Sequence, residues 1–488
     1  MKNQLIYICT LITLLGVSCK NVEQKQQQEK PKNVLFICID DLRPELNSFG
    51  VLYIKSPNID GLAAQGYLFT NHYVNSPSCG PSRYTMLTGQ YGFQYRRHHN
   101  QQLFSRVKDL KQNPEIVNLS MPEWFKSHGY ITVSVGKVSH HPGGRGGENW
   151  DEDSQPEMPD AWSQHIMPVG AWKTPKGTMH GLANGKIRTT KSRDVLETVE
   201  GPDTLYPDGL IADEGMKQLE ALASGEKPFF LAIGLIKPHL PFGVPKKYLD
   251  MYSDVEIAPI PHPEKPKGPS SWTGSNEFMS YNRWGKDPRK DMDFAMKLKK
   301  YYAACVTYAD KHVGDILNTL KKTGADKNTI VVLWGDHGWH LGEHAIWGKH
   351  CLFEEALRSP LIIYNPDMNY NGKKSNTVVE TVDIFPTLCD LTQLPIPDFS
   401  DGASLVPIME NQNLKSSKAA IAYTSGGTTI RTDKYRFTKN EKGFVELYNH
   451  QNDGSETVNI ADKYPEIVKQ LEKQIIERVG EKAFDWDL

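Results

Sequence analysis

The sequence predicts an α/β fold, in which helices cover a largely parallel sheet, followed by a smaller α+β subdomain. Two apolar, β-branched runs, residues 33–39 and 329–334, are continuous rather than alternating, as in strands buried on both faces. Such runs alternate along the chain with segments of helical period, which is the order typical of α/β domains. From about residue 405 the pattern changes to short strands and one closing helix, which indicates the α+β subdomain.

The composition is that of an ordinary globular protein. The chain has 488 residues, of which 39% are hydrophobic and 23% charged, enough for one large domain and a smaller one. Lys and Arg together number 56 and Asp and Glu 58, so the formal net charge is -2. This balance excludes nucleic acid as an expected main partner, and an anionic substrate would have to be attracted locally.

The first residues read as a targeting segment. Lys2 supplies a positive charge, and residues 5–17 supply an apolar core that is short for a membrane span. The run ends L-G-V-S-C at Cys19, which resembles a bacterial lipobox with its leucine one place further from the cysteine than usual. We predict a lipoprotein signal peptide over residues 1–18, a lipid anchor at Cys19 and a flexible tether over residues 19–32. The expected location is the periplasm or the cell surface, at the outer membrane; a plain secretory signal is the alternative.

The first predicted strand, residues 33–39, ends in two adjacent carboxylates, Asp40 and Asp41. Ligands of open α/β sheets bind at the carboxyl ends of strands, which is where this pair falls. Adjacent acids that point to one spot repel each other unless a cation joins them, so the pair is a candidate metal site. The alternative is an Asp-rich turn that caps a helix. A short helix over residues 56–66 and a strand over residues 67–73 follow.

Residues 76–89, S-P-S-C-G-P-S-R-Y-T-M-L-T-G, carry the strongest local signal. Pro81 fits the first turn of a helix and Gly89 can end it, so Cys79 would lie at the helix N-terminus. An anion is favoured there, and Arg83 lies one turn further on the same face. The alternative is a buried structural cysteine beside a helix cap.

Two further strands are predicted to deliver polar residues to the same edge of the sheet. A helix over residues 119–128 and a strand over residues 130–135 lead to Lys137 and His140, which alone would be typical of a surface loop. Residues 141–205 show no clear period and predict an irregular excursion that shapes a cleft or packs as loop.

A helix over residues 208–222 and a strand over residues 227–235 then lead to His239. Two prolines flank this histidine and restrict the loop backbone. Residues 254–290 are rich in Pro and Lys and are predicted to be irregular, and residues 294–320 predict a long helix.

The strand over residues 329–334 is followed by a second strong signal, G-D-H-G-W-H-L-G-E-H, residues 335–344. Asp336 and His337 lie between glycines, which allow tight turns and close approach. They are candidate metal ligands, or the histidine is a neutral one satisfied by hydrogen bonds. The carboxylate pair after the first strand would supply the other half of a metal site.

The remaining elements complete two predicted domains. A strand over residues 360–364 and a helix over residues 381–391 belong to a catalytic domain over residues 33–404. A C-terminal subdomain over residues 405–488 is predicted to contain strands at 419–423, 428–431, 435–438 and 445–448 and a helix at 467–478.

In this order the motifs resemble those of type I sulfatases over about residues 32–480. They are D-D after the first strand, C-G-P-S-R with L-T-G, G-K-x-x-H, K-P-H-x-P-F and G-D-H-G-W-x-L-G-E-H. K-P-H-L-P-F, G-D-H-G-W-H-L-G-E-H and the Trp347 and Lys349 that follow are closest to the iduronate-2-sulfatase-like branch. The resemblance implies an alkaline-phosphatase-like α/β sandwich with a mixed sheet between helices.

The resemblance also implies a covalent cofactor and a metal. Cys79 matches the cysteine that a maturation enzyme oxidises to formylglycine, an aldehyde, and Arg83 matches its stabilising cation. In many sulfatases an Asn or Gln stands in place of His337, and a His ligand is unusual for Ca²⁺, the usual ion of the family. The residues that match its ligands are Asp40, Asp41, Asp336 and His337.

Four more residues match the family's acid–base and charge-stabilising positions. Lys137 and His140 match the pair beside the aldehyde hydrate, and His239 and Lys349 match the pair on the leaving-group side. Because the sequence reads His-His-Pro at this point, His141 stays open as an alternative to His140.

The implied enzyme is a sulfuric ester hydrolase that acts on a sulfated carbohydrate. Heparan-like uronate 2-O-sulfate and an algal polysaccharide such as ulvan are both candidate substrates. The loop Q-Y-G-F-Q-Y-R-R-H-H-N after the modification helix departs from the iduronate enzymes, which favours the algal or a generic polysaccharide. The alternatives are a phosphonate or phosphodiester hydrolase of the same superfamily and a glycan-binding protein built on a catalytically dead sulfatase fold.

Overall fold

The computed structural model describes residues 30–92, 118–141, 158, 160–189, 191–369, 372–411, 414 and 419–484. The predicted signal peptide, the lipid anchor at Cys19 and most of the tether lie outside these residues, as do residues 93–117 and 142–157 of the predicted loops. Among the described residues, no helix combines the length and apolar character that crossing a membrane requires.

Strands and helices of the described residues largely follow the predicted order. The strands are β1 (Asn33–Ile39), β2 (Tyr67–Phe69), β3 (His72–Tyr73), β4 (Ile131–Gly136), β5 (Gln164–Ile166), β6 (Leu196–Val199), β7 (Phe229–Leu235), β8 (Phe242–Pro245), β9 (Thr329–Gly335), β10 (His340–Leu341), β11 (Trp347–Gly348), β12 (Leu361–Tyr364), β13 (Lys374–Ser375), β14 (Val379–Glu380), β15 (Ala420–Thr424), β16 (Gly427–Arg431), β17 (Tyr435–Asn440) and β18 (Val445–Asn449). The α-helices are α1 (Pro57–Gln65), α2 (Cys79–Thr88), α3 (Met121–Ser127), α4 (Pro175–Met179), α5 (Pro207–Ala223), α6 (Lys246–Asp250), α7 (Asn276–Met279), α8 (Met292–Lys322), α9 (Glu354–Leu357), α10 (Ile384–Leu391), α11 (Val406–Glu410) and α12 (Pro465–Val479).

An eight-stranded mixed sheet organises the larger part of the chain, in the order β13-β2-β12-β9-β1-β7-β4-β5. Strand β1 pairs in parallel with β7 and β9, and β4 pairs in parallel with β7 and β5. Strand β12 runs antiparallel to both of its neighbours, β9 and β2. The parallel centre and antiparallel flank confirm the predicted α/β fold with a mixed sheet.

Helices bury both faces of this sheet. Leu35 and Ile37 of β1 pack into one core with residues of α1, α5 and α8, whereas Val34 and Phe36 pack into a second core with residues of α2, α3 and α10. Because alternate side chains of β1 enter two different cores, every position of the strand must be apolar. This explains why the run is continuous in the sequence.

A separate four-stranded antiparallel sheet, β15-β16-β17-β18, follows the main sheet and packs with α12 around its own core. It confirms the predicted smaller α+β subdomain. Arg478 of α12 donates hydrogen bonds to Glu380 and to the Tyr91 hydroxyl, which ties this subdomain to the main sheet region. The described residues from 31 onward form one compact unit, so the domain boundary between residues 404 and 405 stays a prediction.

Two predictions of local structure were wrong in detail. Residues 141–205 were expected to be irregular, but β5 within them forms the parallel edge strand of the main sheet. This strand has three half-buried or exposed residues, so it lacks the apolar run by which a strand is recognised. The strand expected over residues 67–73 is two strands, because β2 pairs with β12 and β13 whereas β3 pairs with β14.

Substitution of one buried glycine tests how closely the strand ends must approach. A Cβ added at Gly234 of β7 would lie 2.1 Å from the carbonyl carbon of Lys137, whose backbone follows β4. We expect Gly234→Ala to lower the free energy of unfolding by about 1–3 kcal/mol or more, because two backbones must separate. Chemical denaturation of the full chain measures this change.

Gly61→Ala is the matched control, because Gly61 lies in α1 and a Cβ there would meet no atom within 4 Å. Alanine favours the helix by up to about 1 kcal/mol over glycine, so this variant should be neutral or stabilised. Equal stability losses in the two variants would contradict the account.

Candidate active site

Side chains that follow three parallel strands meet at one edge of the main sheet. Asp40 and Asp41 follow β1, Asp336 follows β9, and Lys137 follows β4. Because β1 and β9 run in parallel with Ile39 opposite Gly335, the acids of the two strands emerge side by side. The backbone N–H of Asp41 donates to Asp336 Oδ1 at 2.9 Å.

Cys79 begins α2, as the sequence predicts, and its side chain is buried among these strand ends. The helix ends at Gly89, whose φ of +65° lies in the left-handed region that favours glycine. Cys79 Sγ lies 3.4 Å from Asp40 Oδ1 and 3.3 Å from His337 Nε2. Lys349 Nζ donates to the same sulfur at 3.2 Å, so an acid, an imidazole and a cation converge on one atom.

Arg83 joins α2 to both acidic strand ends. Its Nε donates to Asp336 Oδ2 at 3.0 Å, and its Nη2 lies 2.9 Å from the same oxygen and 3.5 Å from Asp40 Oδ1. Nη1 donates to the backbone carbonyls of Lys137 and Val138. The guanidinium is fully buried, so these contacts fix its position by charge and by geometry.

Two lysines neutralise the carboxylates that follow β1. Lys137 Nζ pairs with Asp40, and Lys349 Nζ donates to Asp41 Oδ1 at 2.6 Å. All four groups are buried. With Asp336 and Arg83, the site therefore holds three anionic and three cationic side chains. Buried charges are tolerated in proteins when they are paired in this way.

These charges shift the pKa values of the acids in different directions. Burial alone would raise the pKa of Asp40, but Lys137, His239 and Arg83 hold it well below its usual range. Burial and the neighbouring Asp40 raise the pKa of Asp336 to about 6. Burial also raises the pKa of Asp41, against the opposing effect of Lys349.

The thiol itself is a poor nucleophile in this setting. Burial and the nearby Asp40 carboxylate raise the pKa of Cys79 well above its usual value, against the opposing effect of Lys349. The reactive form of cysteine is the thiolate, which these surroundings disfavour. Without a cation on the neighbouring acids, the unmodified side chain thus stays in its thiol form.

The acids and His337 fit a divalent cation. One ligand atom from each of Asp40, Cys79, Asp336 and His337 lies within 4.8 Å of the others. Asp41 Oδ2 is buried and has no hydrogen-bond partner among the described residues, so it has a free lone pair for a cation. Asp41 also adopts φ +60°, a left-handed conformation that is held by the bond to Asp336 and by the Tyr302 hydroxyl, which donates to its carbonyl.

His239 also lies close to the sulfur of Cys79. One of its ring nitrogens lies within 4.8 Å of both Cys79 Sγ and an Asp41 carboxylate oxygen. Its Nδ1 lies 2.7 Å from the Leu240 carbonyl, which leaves Nε2 for a second partner. The structure therefore brings the predicted leaving-group pair, His239 and Lys349, to the same atom.

Glu277 is a site residue that the sequence did not indicate. Its Oε1 lies 3.4 Å from His239 Nε2 and its Oε2 lies 3.6 Å from Lys349 Nζ, so it bridges the leaving-group pair. It stands in α7, a four-residue helix inside the segment predicted to be irregular, and no motif surrounds it. Trp339 was missed as well: its ring lies 5.4 Å from Lys349 Nζ, a cation–π distance.

His140 and His141 stand together beside Lys137. Their ring centres are 4.6 Å apart in an edge-on arrangement. Burial, Lys137 and His141 hold the pKa of His140 well below its usual value, which favours the neutral imidazole. The choice of His140 over His141 as the base stays a prediction.

The chain belongs to the sulfatase family. The family model described as "Sulfatase" matches residues 32–394, well over half of the chain. A second model, "N-sulphoglucosamine sulphohydrolase, C-terminal", matches residues 342–481 and covers the C-terminal sheet. The protein is therefore a sulfuric ester hydrolase by family, which confirms the resemblance found in the sequence.

Three curated relatives extend over most of the chain. A sulfatase of Formosa agariphila is 32% identical over 92% of this chain and 88% of its own length. Iduronate 2-sulfatase of Mus musculus is 32% identical over 79% of this chain and 73% of its own length. An ulvan-active sulfatase of Formosa agariphila is 26% identical over 97% of this chain and 86% of its own length.

Solved structures share the fold at lower identity. A protein in complex with its substrate D-glucosamine-2-N,6-O-disulfate aligns with a TM-score of 0.71 and 22% identity over 94% of this chain and 99% of that chain. A phosphonate monoester hydrolase of Agrobacterium radiobacter aligns with a TM-score of 0.72 and 20% identity over 92% of this chain and 96% of that chain. Together with the mixed sheet, these likenesses confirm the alkaline-phosphatase-like architecture.

We predict that Glu277→Gln lowers kcat for a sulfate ester about ten- to a hundredfold. The substitution keeps the side chain's size but removes the charge that faces His239 and Lys349, so His239, the predicted proton donor, loses its charged partner. Steady-state kinetics measure the effect, and a thermal melt checks the fold.

Glu264→Gln is the control, because Glu264 is exposed and lies in the same irregular segment. It should leave both kcat and the melting temperature unchanged. Wild-type kcat in Glu277→Gln would show that Glu277 does not position the pair.

Proposed function

We propose that this sulfatase is an exported polysaccharide sulfatase that acts through formylglycine made from Cys79 and through one bound Ca²⁺. The observation that carries this proposal is the convergence on Cys79 Sγ of Lys349, His337 and Asp40 at 3.2–3.4 Å. An unmodified cysteine could attack a sulfate ester once but could not expel sulfate and regenerate itself as an aldehyde hydrate can, which supports the need for modification. Oxidation by a maturation enzyme would convert the Cys79 side chain into an aldehyde, whose hydrate has two hydroxyls. One hydroxyl would attack the sulfur of the substrate's sulfate ester, and deprotonation of the other would expel sulfate and restore the aldehyde.

The proposed ligands of the divalent ion are Asp40, Asp41, Asp336 and His337. Mostly oxygen donors suit a hard cation such as Ca²⁺, although one imidazole is present. When bound, the ion would supply a Lewis acid that lowers the pKa of a coordinated hydroxyl and orients a sulfate oxygen. The free, buried lone pair of Asp41 Oδ2 supports this assignment.

The chain's own cations and histidines supply the rest of the proposed mechanism. Positive charge around the position of the sulfate group is supplied by Arg83, Lys137 and Lys349. It would stabilise the negative charge that spreads over the sulfate oxygens in the transition state. His239, held by the Leu240 carbonyl and Glu277, would protonate the departing sugar oxygen as general acid. Neutral His140 would accept the proton from the second hydroxyl as sulfate leaves.

The proposed substrate is a sulfated polysaccharide or its oligosaccharides. The iduronate 2-sulfatase and ulvan-active relatives support, respectively, a heparan-like uronate 2-O-sulfate and an ulvan-type algal glycan. We favour the algal class, because the loop after α2 departs from the iduronate enzymes and the ulvan-active relative aligns over 97% of this chain.

We further propose that the enzyme is a lipoprotein, anchored through Cys19 at the periplasmic or outer face of the outer membrane. The apolar segment, the lipobox-like L-G-V-S-C and the Gln-rich tether that follows support this location. A surface anchor would hold the enzyme where large glycans are encountered.

The first test combines the mass of the Cys79 peptide with sulfate release from ulvan and heparan oligosaccharides. In protein produced with a maturation enzyme, we expect the peptide to carry an aldehyde in place of the thiol. Cys79→Ala should lower sulfate release at least about a thousandfold, because the nucleophile is lost. Cys389→Ala, which removes a buried thiol of α10 that is not among the groups around Cys79 Sγ, should retain activity.

Paired sulfate and phosphonate esters of one phenol separate the proposal from its rival, the phosphonate or phosphodiester hydrolase that the fold also resembles. We expect kcat/KM to be higher for the sulfate ester. A large preference for the phosphonate would overturn the sulfatase assignment. Glycan binding without sulfate release, by protein that carries formylglycine, would instead indicate a binding protein.

A further inference from the structure

Three histidines and a glutamate form a second cluster of metal-ligating side chains, which we call the His–Glu cluster: His262, His340, His344 and Glu355. They come from separate segments: the chain after α6, strand β10, the turn at Glu343–Ala345 and helix α9. None of the four belongs to the set of residues around Cys79.

Three members of the cluster, His262, His344 and Glu355, have the spacing of metal ligands, and His340 lies next to Glu355. His262 Nε2 lies 2.8 Å from Glu355 Oε1, and His340 Nε2 lies 3.3 Å from Glu355 Oε2. His344 Nδ1 lies 3.8 Å from Glu355 Oε2, and the ligand atoms of His262, His344 and Glu355 all lie within 4.8 Å of one another. Ligand atoms around a tetrahedral Zn²⁺ lie roughly 3.3 Å apart, given bonds of about 2.0–2.2 Å.

One buried atom at the centre of the His–Glu cluster lacks a hydrogen bond. Among the described residues, His344 Nδ1 has no hydrogen-bond partner, and Glu355 Oε2 faces the ring nitrogens of His340 and His344 at 3.3 and 3.8 Å. The His344 side chain is fully buried and that of Glu355 is only 11% exposed. Buried polar atoms without partners are rare and require an explanation such as an ion.

The contacts of His344 leave its Nδ1 free to bind a metal ion. Its other ring nitrogen, Nε2, lies 2.8 Å from the Ser455 carbonyl, so Nε2 carries the proton and Nδ1 has the free lone pair. The residue adopts φ +55°, and its N–H donates to the His262 carbonyl at 2.8 Å, so the two ligands are also linked through the backbone.

We propose that His262, His344 and Glu355, with His340 as the fourth ligand, bind one transition-metal ion of the Zn²⁺ type. Imidazole nitrogens favour Zn²⁺ over Ca²⁺, which separates this site chemically from the oxygen-rich acids beside Cys79. Four protein ligands leave no open position, so the ion is structural rather than catalytic.

The ion would hold the segment after α6 against the β10–β11 hairpin. That hairpin leads directly to Lys349, and the same segment continues to Glu277, which faces Lys349. The indole of Trp272, which lies between His262 and Glu277 in the chain, donates to the His344 carbonyl at 2.7 Å. Metal binding would thus stabilise the wall of the active site on the leaving-group side.

The competing explanation is a metal-free charged cluster. Despite burial, contacts with Glu355 raise the pKa of His262, and contacts with Cys351 and Glu355 raise that of His340 to about 10. Two imidazolium ions could then balance Glu355 without a metal. The two explanations differ in whether the folded protein takes up a transition metal at these residues.

Co²⁺ binding to the full, folded chain in excess Ca²⁺ distinguishes them. Ca²⁺ fills the acidic site, and Co²⁺ in a tetrahedral nitrogen–oxygen site absorbs visible light. We expect about one tightly held Co²⁺ per wild-type chain, displaced by Zn²⁺, and binding at least about tenfold weaker in His262→Gln and in His344→Gln. His262 is partly exposed, so its variant serves if His344→Gln fails to fold.

His128→Gln is the matched control, because His128 is exposed at the end of α3 and belongs to no such cluster. It should bind Co²⁺ as the wild type does. Wild-type protein that binds no more Co²⁺ than His262→Gln would overturn the proposal. This outcome would leave the sulfatase assignment intact, since no ligand of the cluster touches Cys79.

Discussion

Charge balance among buried groups is the constraint on which the site depends. Three carboxylates lie at the carboxyl ends of β1 and β9, and an unpaired charge at that depth would cost several kcal/mol. Each acid is therefore paired with a cation that a different element supplies: α2 brings Arg83, the end of β4 brings Lys137, and the chain after β11 brings Lys349. Pairing all six charges requires α2, the end of β4 and the chain after β11 to meet at the ends of β1 and β9.

The same pairing links the proposed metal to the proposed substrate. Lys137 and Lys349 contact Asp40 and Asp41, which are also proposed metal ligands, and Lys349 contacts Cys79 as well. A dication at the acids would neutralise them in place of the lysines, whose charge would then be available to a sulfate group. In this proposal, metal binding and anion binding would be coupled through the same two lysines at one edge of the sheet.

Much of the fold and of the site could be predicted from the sequence, because the signals that indicate them are local. The continuous apolar run of β1 follows from burial on both faces, and the motif around Cys79 contains its own helix start and its Gly89 stop. Since parallel strands share one carboxyl edge, motifs that follow strands could be placed together without a structure. Glu277 could not be found in this way, because its role arises only where α7 meets His239 and Lys349, far apart in sequence. The short edge strand β5 was missed because it has no apolar run, and the His–Glu cluster was missed because tertiary contacts alone bring its members together.

Calorimetric titration of Ca²⁺ into the metal-stripped, full-length enzyme tests the central claim most directly, namely that the acids beside Cys79 form one divalent-metal site. The account predicts one Ca²⁺ per chain, binding at least about a hundredfold weaker in Asp41→Asn and Asp336→Asn, and unchanged in the exposed Asp250→Asn. Folded wild-type enzyme that releases sulfate at full rate while binding no Ca²⁺ or other divalent ion would contradict it.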